Sequence, residues 1–342
     1  MKRCVDKRVV VILLLAFVVL FLFLSNLFVG SVNIPCNEVL SILCGGECER
    51  ESWRIILLET RLPQALAALL SGAAISVAGL LLQTLFNNPL AGPEVLGINS
   101  GAGLGVAVVM LLSQGLFAIG GMDVVGYMAL LAGAFAGAAV IMAIILFLST
   151  VLKNKVLLLI VGVAVGYLAS SLITVLNYFA TAEGVHSYLV WGMGSFGAVS
   201  SAQLPLYTLL TLSLIVVSLF MMKPLNALLL GDVYAHNLGV NVKGVRAILL
   251  AVTGLLTAVV TAFCGPISFL GLAVPHIARL FLGTNNHRVL LPGTLLSGAM
   301  VALVCNLVCQ LPGENGLLPL GAITPVVGAP VIIYVVLKNR NL

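Results

Sequence analysis

Long apolar runs dominate the chain, and polar positions gather in short clusters between them. A membrane-spanning helix needs about 20 mostly apolar residues. Ten runs are read as spans: 9–30, 62–86, 95–112, 124–152 and 156–180, then, after a polar break, 204–222, 245–264, 267–282, 289–310 and 317–337. The first run follows a basic start, as a signal peptide does, but it is long and lacks a small-x-small cleavage site before Asn33. It is therefore read as an uncleaved span. The expected fold is all-α, a single polytopic transmembrane domain over 1–342.

Composition sharpens this picture. Apolar residues make up 61% and charged ones 8%, with a mean hydropathy of +1.21, whereas soluble domains run near 45–50% and about 25%. A soluble enzyme is excluded. The 35 glycines against 7% aromatics favour helices packed closely through small residues. The net charge of +5 has no basic cluster beyond Lys2–Arg8, so no nucleic-acid partner is expected. Basic residues near span ends stay on the cytoplasmic side. With the N-terminus inside, Arg50, Arg54 and Arg61 alone fall outside, and both termini are cytoplasmic. The expected location is the cell (inner) membrane, with lipid as solvent.

Candidate chemistry is sparse. No ionisable side chain sits in the middle of a span, which argues against a proton-coupled carrier, while a sodium site built from carbonyls and hydroxyls stays open. No lysine follows a glycine, so there is no P-loop, and an ATP-driven process requires a separate ATPase chain. Gly192–Gly197 matches GxGxxG but lies at an outer span end with no strand before it, and reads as a loop. Gly97, Gly101 and Gly105, Gly133 and Gly137, and Gly162 and Gly166 repeat at helical spacing, for close packing. Cys305 and Cys309 share a face without a histidine or carboxylate, so no metal site is expected. Cys44 and Cys48 fit either a bridge or free thiols. The histidines stand singly at span borders or outside. No cofactor and no catalytic residue is assigned. Gly92-Pro93 and Gly265-Pro266, each with Leu-Gly soon after, faintly suggest an inverted repeat of spans 2–5 and 7–10. The matching Leu-Leu-Ser-Gly-Ala at 69–73 and 295–299 breaks that register and reads as coincidence.

Four stretches are more specific: Arg61-Leu62-Pro63-Gln64, Asn88-Pro89-Leu90-Ala91 with Leu96-Gly97, Gly231-Asp232 through Leu238-Gly239-Val240, and Gly265-Pro266 through Val274-Pro275-His276-Ile277-Ala278-Arg279. With Asn286-His287-Arg288 and Gly328-Ala329-Pro330, their order and spacing resemble the FecCD-type permeases, membrane subunits of ABC importers for iron-siderophores, haem and cobalamin. The resemblance implies a type II importer architecture: a homodimer with cytoplasmic ABC ATPases below and a periplasmic or lipid-anchored substrate-binding protein above. It implies no enzymatic activity of the chain itself.

The residues themselves add detail. In the cytoplasmic loop 223–244, Asp232 is suited to cap a short helix and Gly239 to end it, with Tyr234 and Leu238 one turn apart on an apolar face. The resemblance makes Asp232, Tyr234, Ala235, Leu238 and Gly239 the ATPase-coupling helix. It makes Asn88, Pro89 and Leu90, with Asn154 and Lys155, the cytoplasmic gate, and Arg61 a docking position for the binding protein. Gln64 and Gln310 stand where relatives often carry arginine, with Arg50 and Arg54 as possible substitutes. Ser170, Ser171 and Thr174 of span 5 are pathway candidates. An iron chelate, siderophore or haem, is the expected substrate, with cobalamin the alternative and a secondary transporter the competing class.

Overall fold

The computed structural model describes residues 7–112, 124–152, 154–311, 316 and 318–339. Among them are fifteen α-helices and no strand: α1 (Lys7–Phe28), α2 (Cys36–Leu43), α3 (Glu51–Ile55), α4 (Leu62–Phe86), α5 (Ile98–Leu112), α6 (Val124–Val151), α7 (Lys155–Phe179), α8 (Ala182–Gly192), α9 (Leu204–Phe220), α10 (Met222–Leu228), α11 (Asp232–Asn237), α12 (Val242–Cys264), α13 (Leu270–Leu282), α14 (His287–Gln310) and α15 (Leu320–Asn339). Each expected span has its helix. Span 6 is α9, after which the chain bends by 52° into the short α10. Pro224 lies in the first turn of α10, where its missing N–H removes a bond that would continue α9. The basic positions Lys2, Arg3, Lys153 and Arg340, and the start of the last expected span at Leu317, lie outside the described residues.

Spans 3 and 8 are shorter than expected. Gly92-Pro93 leads into a single tight turn, Pro93–Leu96, before α5 begins. Gly265-Pro266 delays α13 to Leu270. Proline disfavours helix in the residue before it and cannot donate to the preceding turn, so both segments enter the bundle as irregular chain.

The core is built around α4, which is buried along nearly its whole length against α14, α12 and α13. Its interior is largely Ala, Gly and Ser, so neighbouring backbones come very close. Gly72 meets Gly298 across α4 and α14, and a Cβ on either would overlap the other's carbonyl. These glycines belong to the two Leu-Leu-Ser-Gly-Ala stretches, so that match falls at a helix crossing. Gly101 and Gly105 of α5 meet Gly137 and Gly133 of α6 in the same way.

The helix pairings follow the expected correspondence of spans 2–5 with spans 7–10. α4 pairs with α14 as α12 pairs with α6, α5 pairs with α6 as α13 with α14, and α5 pairs with α7 as α13 with α15. The two Gly-Pro segments meet inside the bundle, where Pro93 lies against Gly271, itself against the Ile75 carbonyl halfway along α4. There the Glu94 carboxylate accepts the Phe269 N–H at 2.6 Å. The expectation of no ionisable group at span depth is thereby corrected. Glu94 precedes its helix in sequence, but the irregular chain carries it inward.

Candidate coupling and gating site

Bonds between Lys155 and Asp232, Arg246 and Asp232, Arg279 and Gln83, and His287 and Asn226 gather the basic residues at one end of the bundle. The loop 223–244 lies at that end and folds as α10, a turn, and α11. Gly231 supplies the turn with φ 96. At the far end of α11 Gly239 takes φ 82, its N–H donating to the His236 carbonyl and that of Val240 to Ala235, the paired bonds that close a helix through a left-handed residue. Asp232 does not cap α11 with its side chain. It is the first helical residue, and its carboxylate faces Lys155 Nζ at 2.8 Å and Arg246 Nη2 at 3.5 Å. Opposite charges within reach outcompete a neutral N–H for a carboxylate.

Ala235 is fully buried and roots α11, whereas Tyr234 and Leu238 are 67% and 64% exposed. Sequence spacing missed two partners on the surface: Val233, 74% exposed, and Leu230, 61% exposed. Leu230 lies in the turn before the helix, beyond the reach of helical periodicity.

The expected gate residues stand at the end of α4 and the start of α7. α4 ends at Asn87 with φ 48, a left-handed position that asparagine tolerates. Asn88 Oδ1 then accepts the Leu90 N–H at 2.9 Å, and the Pro89 carbonyl lies 2.9 Å from His276 Nε2. Leu90 is exposed. At the start of α7 Asn154 Oδ1 accepts the Val156 N–H at 2.8 Å and caps the helix.

At the opposite end Arg61 is 4% exposed. Its guanidinium donates to the carbonyls of Leu27 at 2.9 Å, Phe28 at 3.0 Å and Val32. It closes the end of α1, where unpaired carbonyls and the helix dipole favour a cation. Its guanidinium is thus bonded within the chain, and it also lines the outer cavity with Gln64 and Gln310. Arg50 and Arg54 are the exposed cations there, Arg50 over the Trp53 ring at 5.1 Å. Gln64 Nε2 donates to Asn306 Oδ1 at 3.0 Å, and Asn306 Nδ2 to Asn26 Oδ1 at 2.7 Å. This amide chain ties α1, α4 and α14 together. Gln64 and Gln310 also line a cavity of about 600 Å³ with Glu59, Ser195 and Ser200. Cys44 and Cys48 are free thiols.

Ser170, Ser171 and Thr174 lie on the exposed face of α7 with Tyr167 and Tyr178. Each of the three hydroxyls bonds back to a carbonyl one turn earlier at 3.0 Å. Beyond Lys7 and Arg8, the exposed face of α1 is by contrast apolar, with Leu13, Leu14, Phe17, Leu20 and Phe21.

The family model for the FecCD transport family matches residues 17–338. The chain belongs to the FecCD transport family. Relatives of the same kind include the vitamin B12 import system permease protein BtuC of Escherichia coli O9:H4, 38% identical over 309 residues, 87% of this chain and 91% of the relative. The BtuC of Citrobacter koseri is 38% identical over 320 residues, covering 91% and 93%. Among solved structures, one described as an inward-facing conformation of a metal-chelate type ABC transporter superposes with TM-score 0.83 at 26% identity, covering 96% of this chain and 98% of that one. The protein is thus a multi-pass membrane permease of the ABC-importer type, a non-catalytic subunit.

Proposed function

We propose that the chain is the membrane subunit of an ATP-driven importer for cobalamin, working as a homodimer with two cytoplasmic ABC ATPases and an external substrate-binding protein. The observation that carries the energetic part is α11: a short helix rooted by buried Ala235 presents Leu230, Val233, Tyr234 and Leu238 as an apolar surface beside a basic end. An apolar face on a short helix suits a groove on a soluble partner. The 38% identity to vitamin B12 permeases over most of both chains favours cobalamin over the iron chelate expected from sequence. Asn88–Leu90 and Asn154–Lys155 serve as the inner gate. The hydroxylated face of α7 lines the path between two protomers, since it is the exposed face least suited to lipid. Docking of the binding protein falls to Arg50 and Arg54, because the Arg61 guanidinium is occupied.

ATP-driven uptake into vesicles holding the permease and its ATPase tests this reading, with radiolabelled cyanocobalamin and a ferric hydroxamate compared side by side. Uptake of cyanocobalamin alone is the expected result. Uptake of the ferric chelate alone would return the assignment to the metal-chelate class of the structural neighbour, and uptake of either without ATPase would refute the ABC mechanism.

A further inference from the structure

The coupling segment, α10 with α11, is one packed piece: Leu225, Leu228 and Ala235 are all buried beneath it. Two polar links leave it, and each arrives beside one of the two gate loops. From α11, Asp232 Oδ1 reaches Lys155 Nζ at 2.8 Å, and Lys155 is the first residue of α7, directly after the Asn154 cap. Arg246 holds the other carboxylate oxygen at 3.5 Å, so Asp232 is braced between α7 and α12.

The second link starts at Asn226 of α10. Its Oδ1 accepts the backbone N–H of His287 at 2.8 Å and faces the ring Nδ1 at 3.0 Å. Its Nδ2 donates to Asn286 Oδ1 at 3.0 Å. The backbone donor fixes that oxygen as acceptor, so ring Nδ1 carries the hydrogen. Nε2 lies 2.8 Å from the Thr84 hydroxyl, which also bonds the Leu80 carbonyl at 3.0 Å. Both His287 and Thr84 are buried. Thr84 belongs to the last turn of α4, and its carbonyl accepts the N–H of Asn87, the left-handed residue that turns the chain into Asn88–Leu90.

We infer that these links are tethers, through which a partner's displacement of the coupling segment is delivered to both gate loops at once. Lys155 carries it to the loop at 154–155, and Asn226 with His287 carries it to the loop at 88–90. The inference rests on the coupling and gating reading above. It adds Asn226 and His287 as positioning residues, and gives the gate residue Lys155 the further task of holding its loop in step with the coupling helix. When Lys155 is replaced, Arg246 still faces the Asp232 carboxylate, so no buried charge is left without a partner and the fold is expected to hold.

The test uses the permease–ATPase complex in nanodiscs and reads Leu90→Cys, an exposed gate position, by its rate of labelling with a maleimide, resolved from the native cysteines by mass spectrometry. In the otherwise native chain the rate is expected to differ between ADP and vanadate-trapped ATP. Lys155→Met and Asn226→Leu are expected to keep the ATPase bound and hydrolysing, yet to shrink that difference several-fold. Lys155→Arg, which keeps the charge, is expected to restore it. An undiminished difference in both variants would overturn the tethers. So would loss of ATPase binding in both, since the residues would then belong to docking. If Leu90→Cys shows no nucleotide response in the native background, the gate assignment itself fails and the tethers with it. Leu238→Asp separately reports whether α11 docks the ATPase.

Discussion

Arg61 separates a role implied by resemblance from a role visible in the bonding. Its guanidinium reaches the carbonyls of Leu27, Phe28 and Val32 at the end of α1. Hydrogen bonds from a charged donor contribute about 1.5–3 kcal/mol each, and a buried acceptor left bare costs about 1–3 kcal/mol. Counting only the Leu27 and Phe28 bonds, Arg61→Ala is expected to destabilise the chain by about 3–6 kcal/mol, before the interaction with the helix dipole is included. Gly30 gives an independent route to the same state. A Cβ there would stand 2.7 Å from Arg61 Nε and 2.8 Å from Cζ, so Gly30→Ala forces the guanidinium to shift and weakens its bonds to those carbonyls. Both variants are expected to lower the melting temperature in detergent while the folded fraction still retains the binding protein. Arg61→Lys keeps the charge but not the planar fork, and falls between. An Arg61→Ala chain that melts like wild type yet no longer retains the binding protein would refute the reasoning and return Arg61 to the docking face.

Leu238→Asp places a charge on the exposed face of α11 without touching the spans; it is expected to insert normally but to lose ATPase pull-down and transport together, and retention of both would move coupling elsewhere. Glu94→Gln keeps an acceptor for the Phe269 N–H, so wild-type thermal stability is expected, whereas Glu94→Ala leaves that donor unpaired and costs about 1–3 kcal/mol; equal melting temperatures would show that the bond does not hold the two entering segments. Asn306→Leu cuts the amide chain between Gln64 and Asn26. Interhelical hydrogen bonds in membranes average about 0.6 kcal/mol, so a small drop in melting temperature with transport preserved is expected, and a large transport defect would assign this chain a part in the path.

The six helices long and apolar enough to span, with the bent α9, were legible because a bilayer imposes a single demand, enough consecutive apolar residues, that an unaided sequence displays directly, whereas α5, α13 and α15 fall short of that length. What sequence concealed lies where the chain departs from that demand. Glu94 looked like a loop residue, since only the packing of Pro93 against Gly271 shows that the loop turns inward. Arg61 looked like a surface cation because its three partners are backbone carbonyls some thirty residues away, and backbone acceptors leave no mark in a side-chain pattern. The α11 helix was found from its closing glycine and apolar pair, yet Asp232 was given the wrong task. Its two cationic partners sit on different helices, and only the fold brings Lys155 and Arg246 to one carboxylate. The same logic explains why the paired Leu-Leu-Ser-Gly-Ala stretches were dismissed. An inverted repeat maps span 2 onto span 7, not onto span 9, so the match breaks register as a repeat. It is nonetheless required as a contact, because Gly72 and Gly298 are each other's neighbours and neither tolerates a side chain unless the other gives way. Repeats in sequence can therefore record a shared ancestry or a shared crossing point, and in a bundle packed through glycine the second leaves as plain a trace as the first.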